Sequence, residues 1–254
     1  MATRVAAGPA DAIPERPDAL AAALLRRLEE RSDPANVAGM ARYGISAEGT
    51  LGVPMTVLRG LQRELRPLRR ERPAHAHEVA AALWASGCHE ARILAALVDV
   101  PALVTPAQAD AWVRDLDSWD TCDQLQGLFA STPFAYDKAV EWAGAEEVFV
   151  KRAGFVLMCA LAVHDKAADD ARLEAFLPLV VREATDDRNL VKKAVNWALR
   201  QVGKRSATCH AAAVATAEEI LQRHPASTAA RWIARDALRE LRSAAVLARV
   251  HRQR

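Results

Sequence analysis

The chain has 254 residues, 51% of them hydrophobic and 26% charged, with a formal net charge of +2. That length can bury a substantial core, as one large domain or a repeat array, and the apolar content is that of a globular protein rather than a disordered one. So small a net charge means that any affinity for nucleic acid must come from local clustering of cations. Cys88, Cys122, Cys159 and Cys209 form no Cys-x-x-Cys motif and read as reduced thiols within apolar helical patterns. His75-x-His77 and Cys88-His89 lack a second half-site for zinc.

In chain order, residues 1–16 are Ala/Pro-rich and are expected to be disordered. Too short an apolar run for a signal peptide, and none near the roughly 20 residues that cross a bilayer, predict a cytoplasmic protein. Leu20, Leu24, Leu25 and Leu28 predict a helix, and Asp33-Pro34 opens a second one ending near Tyr43-Gly44. Pro54 starts a third, with Leu58, Leu61, Leu65 and Leu68 on one stripe and Arg59, Arg63, Arg66, Arg69 and Arg70 around it.

Helix pairs follow: 74–86 with 89–98, 106–115 with 118–130, 133–143 with 146–164, 169–183 with 187–204, and 207–223 with 227–241. No strand-like alternation interrupts them. Their spacing of roughly 30–40 residues predicts an all-α fold, an α-solenoid of HEAT-like antiparallel pairs with a concave basic face. One domain is expected over 17–242, followed by a short basic, frayed tail over 243–254.

Chemistry concentrates around Asp117–Asp123. Asp117 or Ser118 suits a helix N-cap, and Asp117 is the expected one. Trp119 and Asp123 then share a face, apart from the apolar stripe of Cys122, Leu125 and Phe129. On helix 187–204, Lys193, Trp197, Arg200 and Lys204 form a stripe opposite Val191, Val195, Ala198 and Val202. The apolar side packs inward, so three cations and a Trp are expected to face outward, with Arg188, Lys192 and Arg205 extending the surface. Arg152 stands in an apolar face and demands a carboxylate or a phosphate, so a structural ion pair with a neighbouring repeat is one reading of it. Trp84, Trp112, Trp142 and Trp232 are expected in the core.

Met40-Ala41-Arg42-Tyr43, Ser118-Trp119-Asp120-x-x-Asp123, Lys151-Arg152-Ala153 and Lys192-Lys193-Ala194-Val195-x-Trp197-x-Leu199-Arg200 together resemble the AlkD-like DNA alkylation repair family of HEAT-like-repeat glycosylases. The resemblance covers residues 20 to 240. It implies that Asp123 is the catalytic carboxylate, that Trp119 and Trp197 are walls flanking the lesion nucleotide, and that Arg152 contacts the backbone beside it. It also implies that Tyr43 approaches the DNA. Lys192, Lys193, Arg200 and Lys204 are the expected phosphate contacts. After Tyr43 the sequence Gly44-Ile45-Ser46-Ala47 departs from the basic and aromatic residues common there.

The expected substrate is duplex DNA carrying N3- or N7-alkylated purines, whose glycosidic bond is hydrolysed by a monomer with no cofactor, metal or membrane partner, associated with the nucleoid when bound. The alternative is a non-catalytic HEAT-repeat scaffold for DNA structures or a protein. In that case Asp123 is a salt-bridging acid and the tryptophans are packing anchors.

Overall fold

The computed structural model describes residues 15–252, and the expectation of disorder before residue 15 lies outside them. Among these residues every regular element is an α-helix. In chain order they are α1 (Pro17–Glu29), α2 (Pro34–Ala41), α3 (Met55–Glu64), α4 (Arg66–Glu71), α5 (Pro73–Ala85), α6 (His89–Val98), α7 (Pro106–Arg114) and α8 (Trp119–Phe129). Then come α9 (Ala135–Ala143), α10 (Val148–His164), α11 (Asp170–Glu174), α12 (Leu177–Arg182), α13 (Asn189–Val202), α14 (Ala207–Arg223), α15 (Thr228–Leu241) and α16 (Ala244–His251).

The order of packing makes this an all-α solenoid. Helices α3, α6, α8, α10, α13 and α15 touch in succession and form one row. Outside it α5 packs on α6, α9 on α10 and α14 on α15. Each inner helix of the row packs on both its neighbours in the row, so a continuous core runs along the array.

Helices α9 and α10 approach each other closely. Gly154 lies against the α9 backbone, where an added Cβ would stand 2.4 Å from the Ala143 nitrogen. Only a residue without a side chain lets the two helices meet there. Two residues earlier on the same helix is Arg152, so this contact also fixes how far the guanidinium reaches.

Two helices expected as continuous are divided. Pro67 opens α4 and Pro178 opens α12, each after a break in the preceding helix. Proline has no N–H to give the turn before it and belongs in a first turn. The leucine stripe nonetheless crosses the first break, since Leu58, Leu61, Leu65 and Leu68 are all buried. At the other end, a frayed tail was expected from residue 243. Instead the Ser243 hydroxyl accepts the Val246 N–H and caps α16, whose Val246 and Val250 are buried.

Candidate functional site

Helix α8 crosses the middle of the row, and its first turn is anchored by side chains rather than by a simple cap. Ser118, not Asp117, occupies the N-cap, and its side chain accepts no helix N–H. It donates to the Asp120 carboxylate, which also accepts the Thr121 N–H at 2.9 Å. The other Asp120 oxygen meets His89 Nε2 of α6 at 3.0 Å. Burial alone would push both groups toward neutrality. Their mutual bond outweighs it, so His89 titrates above its ordinary value and Asp120 below its own. This ion pair holds the start of α8 against α6.

Held in this way, α8 presents Trp119 and Asp123 on its open side, while Cys122, Leu125 and Phe129 are fully buried behind them. Trp119 Nε1 donates to the Tyr43 carbonyl at 3.0 Å. The Tyr43 side chain is 75% exposed, because Gly44 at φ +79° turns the chain so that Ile45 enters the core instead. Behind this turn lies Glu90, a buried carboxylate that accepts the N–H groups of Leu51, Gly52 and Val53 at 2.9, 2.6 and 3.1 Å. It fixes the loop that leads away from Tyr43.

Arg152 is 6% exposed and bridges three helices of the row. One terminal nitrogen donates to Asp123 Oδ1 at 2.8 Å, and the other to the Leu190 carbonyl of α13 at 2.9 Å. The carboxylate that this arginine requires is therefore Asp123 itself. Asp123 Oδ2 has no hydrogen-bond partner among the described residues. Burial raises the Asp123 pKa above its ordinary value, and the opposing pull of Arg152 does not cancel this. The neighbouring thiols are poor nucleophiles: burial lifts Cys122 to about 12 and Cys159 well above its ordinary value. Cys88 departs from the expected buried pattern, being half-buried at the N-cap of α6.

Trp119, Asp123, Arg152 and Trp197 line one cleft of about 500 Å³, together with Tyr43 and Lys193. An adjoining cleft of about 510 Å³ shares Asp123 and Trp197 and reaches Arg59 and Arg69. Asp123 therefore sits where two open depressions meet. Among the described residues no group of three or more His, Cys, Asp or Glu is placed to hold a metal ion.

The cationic stripe of α13 differs from expectation. Lys193 is exposed in the cleft. Arg200 and Lys204, by contrast, both pair with Glu240 of α15, Lys204 at 2.7 Å. These contacts fasten α13 to α15 and leave the two cations only partly accessible. Arg188 is bound to Asp186, and Arg205 donates to the Ala162 and Ala168 carbonyls. Lys192 lies 5.2 Å from the centre of the Trp232 ring.

Trp232 was expected in the core. It is 40% exposed and lines the same cleft as Trp197, whereas Trp84, Trp112 and Trp142 are buried as expected. Its helix explains why. Ala230, Ile233, Ala234, Ala237 and Leu241 make the buried stripe of α15, and Trp232 falls one position out of phase with it. Arg59 had no site role expected from the sequence. It donates to Gln124, the residue after Asp123, at 3.3 Å.

The comparisons with known proteins bear on this geometry. One solved structure matches with a TM-score of 0.64 and 19% identity, over 78% of this chain and 82% of its own. It is described as "a new family of proteins related to the HEAT-like repeat DNA glycosylases with affinity for branched DNA structures". At that identity the likeness is one of fold. No curated protein matches the chain. A family model described as "DNA alkylation repair enzyme" matches residues 24–241, which take in every helix of the row and all the residues that converge on the cleft. The chain belongs to the DNA alkylation repair enzyme family.

Proposed function

We propose that this protein is a DNA glycosylase that hydrolyses the N-glycosidic bond of positively charged, N3- or N7-alkylated purines in duplex DNA. The observation that carries the reading is Asp123, with one oxygen held by Arg152 and the other unpartnered in a cleft walled by Trp119 and Trp197.

The chemistry needs little more than this. An alkylated purine already bears a formal positive charge. When its bond to C1′ breaks, the electron pair goes to the purine ring and cancels that charge. Positive charge then develops on the sugar, where a fixed carboxylate stabilises it electrostatically. Water adds to C1′, and its proton passes to Asp123 or to solvent. The raised Asp123 pKa makes the carboxylate a better proton acceptor than an exposed aspartate. Arg152 keeps it ionised and oriented. The indoles offer faces for a cationic base or the sugar beside it.

The cleft is open rather than deep, which favours a base approached without full extrusion. Lys193, Arg59 and Arg69 are the cations best placed for phosphates, with Arg200 and Lys204 available only if Glu240 releases them.

A second reading has its own observation. The Arg152–Asp123 pair, closed by the Leu190 carbonyl, ties three helices together as a structural device would. On that reading the protein binds DNA without cleaving it, as the affinity for branched DNA described for the matched structure suggests by analogy of fold.

Base release from methylated duplex DNA separates the two. Asp123→Asn keeps an oxygen for Arg152 and removes the charge, so release should fall on the order of 100-fold while DNA affinity persists. Release at the wild-type rate by a folded Asp123→Asn protein would rule out Asp123 as the carboxylate.

A further inference from the structure

The face of α15 beyond the Asp123 cleft has no task in the reading above. Thr228, Arg231, Trp232, Arg235, Asp236 and Arg239 lie on one stripe of this helix and line a separate depression of about 420 Å³. It adjoins the main cleft through Trp232 and Asp236, which border both. Volumes of that size hold small-molecule and nucleotide ligands, typically about 300–1,000 Å³.

The charge on this stripe is lopsided. Asp236 is its one acid, and Arg239 already pairs with it. Arg231 donates to the Pro225 carbonyl and keeps its charge toward solvent. Arg235 is exposed and, among the described residues, meets no carboxylate. Lys192 covers the Trp232 ring from one side. A half-exposed indole flanked by uncompensated cations is unusual on a surface with no partner.

The stripe is also held rigidly. Asn196 of α13 donates to the Ile233 carbonyl at 3.0 Å from a buried position, and Glu240 binds Arg200 and Lys204. Trp232 therefore keeps a fixed relation to Trp197.

We propose that this stripe is a second nucleic-acid subsite, which holds one unpaired nucleotide of a strand leaving the main cleft. Trp232 stacks on the base, and Arg235 and Arg231 hold its phosphates. The physical ground is that a base inside a duplex has both faces covered by its neighbours. An indole can stack only where pairing or stacking has been broken. Base-on-aromatic stacking beside a cationic track is how unpaired strands are gripped without regard to sequence. The inference rests on DNA being the ligand of the main cleft, but not on cleavage there.

The test uses two unmethylated duplexes of one sequence, the second carrying a single bulged nucleotide. Wild-type protein should bind the bulged duplex about tenfold more tightly, the scale of one base–aromatic stack. Trp232→Leu keeps an apolar side chain of fair size and should abolish that ratio, whereas Trp232→Phe should keep most of it. Arg235→Ala should weaken both complexes together. Equal binding of the two duplexes by wild type, or an unchanged ratio in Trp232→Leu, would overturn the proposal. Failure of the cleavage reading shows separately, as wild-type release by Asp123→Asn from fully paired methylated DNA, and leaves the ratio untouched.

Discussion

Asp123 is held between two opposed demands. Its place at the junction of two clefts half-buries it, which disfavours the charged form, and Arg152 restores part of what is lost. A carboxylate that must be ionised to work therefore fails at a higher pH than a solvent-exposed one. Single-turnover base release should fall as pH drops through the Asp123 pKa, with a midpoint above the ordinary aspartate value of 3.8. Arg152→Gln removes the opposing cation and should move that acid limb further up, with a lower plateau. A limb that stays in place in Arg152→Gln would show that Arg152 does not tune Asp123. The same balance acts on folding. A raised carboxylate pKa means that the folded state binds the proton more tightly than the unfolded one. Ionising Asp123 therefore costs stability at the pH where the chemistry runs.

At the scale of elements, the link between α6 and α8 is the pH-sensitive joint. His89 titrates above its ordinary 6.5, so its contribution is complete below that value and is lost as pH rises through the folded pKa. Asp120 titrates below its ordinary 3.8, so its contribution is present above that value and is lost as pH falls through the folded pKa. Stability from the pair is thus greatest between the two ordinary values. Urea midpoints measured against pH should decline on the alkaline side, and His89→Gln should remove that decline. A wild-type midpoint flat through the His89 titration would count against the pair.

Most helices were legible because they present a 3.6-residue apolar stripe, and spacing alone put Trp119 with Asp123 on one face, whereas it was the family resemblance that grouped Arg152 and Trp197 with them. What escaped was set by contacts distant in the chain. Pro67 and Pro178 divide helices whose stripes run on across the break. Glu240 lies 40 residues from Arg200, and nothing near either one announces that they meet. Trp232 was different. Its apolar neighbours at helical spacing suggested core, but the phase of the alanines around it already pointed the ring outward.

Across the whole molecule, charge is distributed more selectively than a net +2 suggests. The cations in and around the clefts fall into those already matched by an acid, such as Arg200 and Lys204, and those facing solvent unmatched among the described residues, such as Lys193. Only the second kind releases counterions cleanly when it meets phosphate. Lys193→Ala and Arg69→Ala should each lower the salt slope of DNA binding by about one, whereas Lys204→Ala should leave it nearly unchanged. An equal drop in Lys204→Ala would mean that Glu240 gives up its partners on binding.

Repeat arrays of this kind come apart from their ends, since a terminal unit has a neighbour on one side only. The cleft draws its outer walls from Tyr43 and Trp232, near the two ends of the array, and its floor from α8, α10 and α13 at the centre. Progressive loss of order therefore starts at the rim and reaches the Asp123–Arg152 pair last. The part that grips is the perishable part, and the part that would cut is the durable one.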